Sequence, residues 1–285
     1  MASFKEIRKR INSIKSTRKT TSAMKMVSSA KLHKAENRIS NMLPYAEALH
    51  HVMEASLRDG YADALSHKRP VRNVAIIAFA SDSSLCGAFN SNVSRELQRA
   101  VESYRQSPEI ENISVYTIGR KIYEAIKKTD ITVTGHFENL AGKSDYEVIA
   151  DFAESLIRRF ENRETDRVEL IYHHFKSAGS QALVREQLLP VAFRNANEDN
   201  GTDYIFEPSH DGLLKSLVPK SVKLQLYTAL LDSNASEHAA RMIAMQTATD
   251  NADDLVGELT VEYNKSRQQA ITNELLDIAG GHAGA

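Results

Sequence analysis

An α/β domain joined to a long antiparallel coiled coil is the fold this sequence predicts, and three observations predict it. The C-terminal stretch keeps a narrow apolar seam with a period near 3.5 residues. The N-terminal stretch keeps another seam, with the opposite charge around it. Between them, apolar β-rich runs alternate with helical patterns, as in a mainly parallel, Rossmann-like sheet covered on both faces. The expected division is a coiled-coil helix over 1–60, an inserted α/β domain over 72–207 and a second coiled-coil helix over 210–285.

The first element follows from Phe4, Ile7, Ile11 and Ile14, which form a heptad seam that returns as Leu32, Ala35, Ile39, Met42, Ala46, Leu49 and Met53. Pro44 interrupts it, so two helical runs about a kink are expected, ending at Asp59-Gly60. In the polar interval KSTRKTTSAMKMVSSAK only Met24 and Val27 continue an apolar line. They are out of phase with the flanking seam, which predicts a local change in winding. A continuous helix from Ser3 to Arg58 would reach roughly 80 Å at the usual rise per residue, too long for a compact domain to contain.

The middle elements are read from period and punctuation. NVAIIAFA is a continuous apolar strand, SDSSLCGAFN a loop and SRELQRAVESYRQ a helix. ISVYTIG, RKIYEAIKK, ITVTGHF, SDYEVIADFAESLIRRF and RVELIYHHF then alternate strand with helix. ALVREQLLPVA and YIFEP add an edge or lead back to the coil. Helical pattern resumes over Leu213 to Leu231, with Pro219 as its start or a kink.

The last element is the C-terminal helix. Steps of four and three from Leu231 give Ala235, His238, Met242, Met245, Thr249, Ala252, Val256, Leu259, Tyr263, Ser266 and Ala270. A stripe this narrow cannot bury a helix alone, so a second helix must cover it. Charge names the partner. Residues 1–43 carry eleven basic side chains against two acidic ones, about +9, whereas the chain from Leu231 carries nine acids against three bases, about −6. Exposed pairs of this kind select a partner more than they strengthen the pairing.

Composition narrows the function. The chain has 285 residues, 42% of them hydrophobic, and a formal net charge of −1, which argues against a dedicated nucleic-acid binder. The basic N-terminal helix alternates with an apolar seam and has one aromatic, Phe4, so it reads as a face for a protein partner rather than a nucleic-acid arm. Cys86 is the single cysteine, which excludes an intrachain disulfide and a cysteine-built zinc site. No apolar run approaches the roughly 18–20 residues of a membrane-spanning helix, so membrane contact is expected only through partners.

Motifs that imitate catalytic sites fail on spacing. AGKSD at Ala141 to Asp145 resembles a phosphate loop, but Phe137 stands where its first glycine is needed, and Ser144 as a helix cap suffices. SDSSLCGAFN has one glycine where a dinucleotide fingerprint needs three. His50 with His51, and His173 with His174, are sequence neighbours that point apart on regular elements, so no metal site is expected. No catalytic residue, cofactor or metal follows from the sequence.

Three separated stretches do carry a resemblance: KEIRKRINSIKSTRKTTSAMKMVSSAKL, the SDSSLCGAFN loop, and SEHAARMIAMQTATDNA followed by YNKSRQQAITNELLDIAGGHAGA. Together they resemble the gamma subunit family of the rotary ATP synthase, bacterial in type. The resemblance implies a non-catalytic central-stalk rotor. Its coil would pass through a ring of alpha and beta subunits and stand with epsilon on a membrane c-ring, turned by proton or sodium flow. ATP chemistry would belong to the beta subunits, and the setting would be the cytoplasmic side of the bacterial inner membrane.

Residue by residue, the resemblance implies a contact with the catalytic ring at Arg267, Gln268, Thr272 and Glu274. It implies a second at Met24, Lys25, Arg241 and Gln246. Ile278, Gly280, Gly281 and Ala283 would line an apolar bearing, and Tyr204, Glu207 and the region of Pro44 would stand at the foot of the coil. The chain departs from the family at Ser83 and Ser84, where a basic residue and glycine are usual, and at Thr20 and Ser22, where isoleucine and a basic residue are common. The competing readings are a coiled-coil scaffold of another assembly and a nucleotide-dependent α/β enzyme.

Overall fold

The structure, a computed structural model, describes residues 4–56, 64–192 and 210–282. The elements run α1 (Phe4–Ser56), β1 (Asn73–Phe79), α2 (Phe89–Arg105), β2 (Asn112–Ile118), α3 (Arg120–Ile126), β3 (Val133–Phe137), α4 (Leu140–Lys143), α5 (Tyr146–Glu161), β4 (Arg167–Ser177), β5 (Ser180–Leu189) and α6 (His210–His282). The predicted class holds: long N- and C-terminal helices, with an α/β domain between them in sequence. Pro44 lies inside α1 and Pro219 inside α6, so neither marks a helix boundary. The YIFEP segment, Tyr204, Glu207, Asp59-Gly60 and Ala283 lie outside the described residues.

The chain separates into two units, one of residues 1–29 with 241–285 and the other of residues 30–240. The larger unit is built on a five-stranded sheet in the order β3-β2-β1-β4-β5. β1 pairs in parallel with β2 and β4, β2 in parallel with β3, and β5 closes the edge antiparallel to β4. The central strand shows why helices cover both faces. Ala75, Ile77 and Phe79 enter one apolar layer, with Ile149, Phe152 and Leu156 of α5, Leu49 and Met53 of α1, and Val218 and Val222 of α6. Val74, Ile76 and Ala78 enter the other, with Val93 and Leu97 of α2 and Ile122 of α3. Side chains alternate sides along a strand, so a fully apolar run has to be buried twice.

Two polar knots hold this sheet. Glu169, buried on β4, accepts from the Tyr104 hydroxyl at 2.5 Å and from Arg185 Nε at 2.6 Å. Asp166 accepts from Arg69 Nε at 2.7 Å and from the Asn73 backbone N–H at 2.8 Å, tying the approach to β1 against β4. Each satisfies a carboxylate that burial would otherwise penalise.

The smaller unit is an antiparallel helix pair. Ile7 and Ile11 close on Leu259, with Ile14, Val256 and Tyr263 at the margin, and the Phe4 and Tyr263 rings stand 6.5 Å apart. Further along, Arg18 Nε meets Asp253 Oδ1 at 2.6 Å and Thr21 Oγ1 meets Thr249 Oγ1 at 2.8 Å. Numbers rise on α1 as they fall on α6. The predicted seam on α6 is buried or half-buried from Met242 to Ser266, but Ala270 is exposed. The expected change in winding on α1 does not follow from burial: Val27 is 56% exposed whereas Ser28 is 3% exposed. The heptad continues through Thr21 and Ser28, polar residues that an apolar pattern does not register.

Gly119, between β2 and α3, has φ +99°, and a Cβ there would stand 2.2 Å from the Ala80 carbonyl oxygen. Both the backbone conformation and the closeness of another backbone demand glycine. Gly119→Ala is expected to cost about 2–4 kcal/mol, read as a lowered urea midpoint by far-ultraviolet circular dichroism.

Candidate functional site

The two places to examine are the carboxyl edge of the sheet, where open α/β sheets bind ligands at the switch in strand order, and the helix pair of the smaller unit. In this sheet the order reverses between β1 and β4. Beyond those strand ends sits the loop of residues 81–90, closed upon itself. Asn90 Oδ1 accepts from the Ser81 backbone N–H at 3.0 Å and from Ser81 Oγ at 2.9 Å, while Asn90 Nδ2 reaches Cys86 Sγ at 3.2 Å. Asp82 Oδ1 accepts from the backbone N–H groups of Arg120, at 3.1 Å, and Asn139, at 3.3 Å. Asp82 thereby joins the loops after β1, β2 and β3, a role no spacing in the sequence announces.

The crevice itself is filled by protein. Residues 231–239 of α6 are buried, Ser236 Oγ donates to the His173 carbonyl at 3.1 Å, and His174 Nδ1 lies 2.5 Å from Asp232 Oδ2. The Asn234 amide donates to the Ala141 carbonyl. The false phosphate loop is therefore a short helix, α4, held under α6. Ser144 does not cap α5: it ends α4 in a left-handed conformation, and Asp145 is the cap, accepting from the Glu147 N–H at 3.1 Å. A β/α order that suits a dinucleotide here carries a helix in its place.

Burial governs the titration of this contact. Asp232 is pushed above the ordinary carboxylate range by burial, which the hydrogen bond and charge of His174 partly oppose. His173 stacks on Phe89 with ring centroids 4.4 Å apart, and burial lowers its pKa to about 4. Its neutral ring packs α2 against β4, and its backbone carbonyl takes the hydrogen bond from α6. Among the described residues no group of three or more histidine, cysteine, aspartate or glutamate side chains could hold a metal ion.

The smaller unit carries all eight residues expected to meet a ring of partners. Met24, Lys25 and Gln246 are half-buried and Arg241 is buried. Gln246 Nε2 donates to Asp250 Oδ1 at 2.6 Å, on the side of α6 next to the Thr21–Thr249 contact. Arg267, Gln268, Thr272 and Glu274 are exposed on one stretch of α6, where the Thr272 hydroxyl donates to the Gln268 carbonyl at 2.9 Å. Ile271, Leu275 and Leu276 are exposed among them. The antiparallel register explains this exposure. Phe4, the first described residue of α1, already faces Tyr263, so later residues of α6 have no described segment of α1 opposite them. The two groups are thus distinct along the helix. Ile278, Gly280 and Gly281 belong to α6, and their side chains lie outside the described ones. Arg18 and Asp253 enter the sequence reading only as members of the two charge counts and Thr21 does not enter it, because a polar rung is invisible until the register is known.

A family model described as ATP synthase matches residues 3–284. The ATP synthase gamma chain of Phocaeicola vulgatus is 52% identical over 287 residues, covering 99% of both chains, and that of Bacteroides fragilis is 52% identical over 288 residues, again covering 99% of both. Among solved structures, a chain of the Euglena gracilis mitochondrial ATP synthase, in a complex described as OSCP/F1/c-ring, aligns with a TM-score of 0.66. It is 22% identical, over 98% of this chain and 93% of that one, and supports the fold.

The buried histidine predicts a pH dependence. His173 has a folded pKa of about 4 against an ordinary 6.5, so the unfolded chain binds the extra proton between those values. Stability contributed by the neutral ring is present above pH 6.5 and is lost as pH falls toward 4, by up to about 3 kcal/mol. His173→Gln should flatten the fall in urea midpoint between pH 7 and pH 4.5; an unchanged slope would remove this residue as its source.

Proposed function

Because this chain belongs to the ATP synthase gamma-chain family, we propose that it is the central-stalk rotor that carries torque from a membrane c-ring to the catalytic beta subunits. It is a non-catalytic subunit, and ATP chemistry resides on its partners. The observation that carries this reading is a match over nearly the whole chain to gamma chains, together with an antiparallel helix pair past which α6 exposes Arg267, Gln268, Thr272 and Glu274. Nothing favours an enzyme reading, since α6 occupies the crevice where an α/β sheet would take a nucleotide.

On this reading residues 1–60 and 210–285 serve as the coil and 72–207 as its inserted domain. The partners are the alpha and beta subunits, epsilon and the c-ring, with the chain on the cytoplasmic side of the bacterial inner membrane. No helix among the described residues is long and apolar enough to cross a membrane, and the proposed attachment runs through the complex. The rotor works by differential contact: an asymmetric surface, turned by steps, favours a different nucleotide state in each beta subunit at each angle. Arg267, Gln268, Thr272 and Glu274, with Met24, Lys25, Arg241 and Gln246, supply polar contacts that form and release at set angles. Ile278, Gly280, Gly281 and Ala283 turn in an apolar bearing.

Capture of this chain from its native membranes should bring alpha, beta and epsilon subunits in fixed proportion; a chain recovered without them would falsify the rotor reading. Arg267→Ala with Gln268→Ala is expected to lower coupled ATP synthesis severalfold in the assembled complex. The unfolding free energy of the chain in urea should change by less than about 0.5 kcal/mol, as for exposed positions. Unchanged synthesis would take both residues out of the contact.

A further inference from the structure

We propose that Thr21 with Thr249, and Arg18 with Asp253, form a register lock that stops α1 from sliding along α6 and so keeps the ring-contact groups on the two helices level. The proposal rests on the rotor reading above. It starts from what the helix pair lacks. From Lys15 to Ser28, the half-buried or buried positions of α1 are Thr21, Ser22, Met24, Lys25 and Ser28, and the larger apolar residues Met26 and Val27 point to solvent. Opposite them, α6 offers Met245, Thr249 and Ala252. Small and polar side chains pack closely, but they make shallow knobs and holes, so a shift of one turn, about 5.4 Å, would cost this stretch little apolar contact, the Ile7, Ile11 and Leu259 cluster lying further along the pair.

Register then has to come from groups with directional partners. The hydroxyls of Thr17, Thr20 and Ser28 return to their own helix, donating to the carbonyls of Ser13, Ser16 and Met24. The Thr21 and Thr249 hydroxyls also reach their own helices, at the Arg18 carbonyl 3.0 Å away and the Met245 carbonyl 2.7 Å away, but their Oγ1 atoms lie 2.8 Å apart across the interface as well, so one hydroxyl can donate to the other while that one donates to its own helix. One turn away, Arg18 Nε lies 2.6 Å from Asp253 Oδ1, with both side chains about half exposed. A slide of one turn would set Thr21 against Met245 or Asp253, and would separate both pairs together. Exposed ion pairs add little stability, but a polar contact at a seam position is a well-attested way to specify register. Torsion on a two-stranded rod sets up shear between the strands, so the lock bears on the step that the rotor performs. Met24 and Lys25 follow Thr21 within about a turn on α1, and Gln246 precedes Thr249 within a turn on α6, so a slip would move these contacts to different heights.

The test uses the assembled, membrane-bound complex and reads ions moved per ATP hydrolysed. Thr21→Val with Thr249→Val keeps the shape and removes the hydroxyls; it should lower the ratio under load by about two- to fivefold, the scale of one hydrogen bond. Thr249→Ser keeps the hydroxyl and should match the wild type. Thr21→Cys with Thr249→Cys, in a Cys86→Ser background, should couple fully when oxidised and poorly when reduced, because a covalent link restores register without restoring the hydrogen bond. A fully coupled valine pair, or equal coupling of oxidised and reduced cysteine pairs, overturns the lock. If the valine pair does not assemble, Arg18→Asp supplies the reading: loss of coupling recovered by adding Asp253→Arg supports the lock, and loss without recovery overturns it. Failure of the rotor reading itself looks different, as a wild-type complex whose ion movement does not depend on this chain.

Discussion

Ile7 and Ile11 from one end of the chain close on Leu259 from the other. A helix with so narrow an apolar stripe is stable in water only against a partner, because a lone stripe leaves its apolar groups wet and gains too little to offset the ordering of the backbone. That requirement brings the termini together. It also makes the antiparallel direction a matter of geometry, since the segments that pair are the two ends of one chain. The exposed run of α6 with Arg267 and Gln268 follows from the same pairing, being the part of the helix that extends past the described start of α1.

The larger unit obeys a different constraint. Its central strand is apolar on both faces and demands two covering layers, and α1 and α6 contribute Leu49, Met53, Val218 and Val222 to one of them. The same helix that makes a narrow seam near Leu259 is buried on all sides over residues 231–239. There Asp232 faces His174 and Ser236 faces the His173 carbonyl. Segregating these duties along one helix explains why a sheet of dinucleotide-binding order need not bind a dinucleotide: α6 lies where a cofactor would lie.

Polar residues do more of the specifying than their small energies suggest. Asp82 gathers two backbone N–H groups from separate loops, and Thr21 finds Thr249. Each contact is worth little beside the apolar layers, yet each distinguishes one arrangement from near neighbours that bury similar area. For a part that works by being turned, such discrimination bears on function as well as on folding.

The seam from Met245 to Ser266, the alternation that places β1 to β5 and the opposite charge of the two termini were all legible in the residues, because period and charge are local properties that burial reads out directly. The charge count failed in one particular: Asp232, counted among the acids facing a basic helix, is buried against His174, since a residue's charge is written in the sequence but its partner is not. Val27 continues an apolar line that is out of phase with the flanking seam, and Ser28 is the seam, because register outranks apolarity where helices approach closely. Ser144 looked like a cap, and Asp145 is the cap, because one residue's difference in where a helix begins decides which oxygen meets the free N–H groups. By itself the sequence determined the class of the fold, the two helices that must pair and the family to which the chain belongs. Only the tertiary structure decided the register of that pair and the occupant of the sheet's crevice, for both depend on contacts between residues that no local pattern connects.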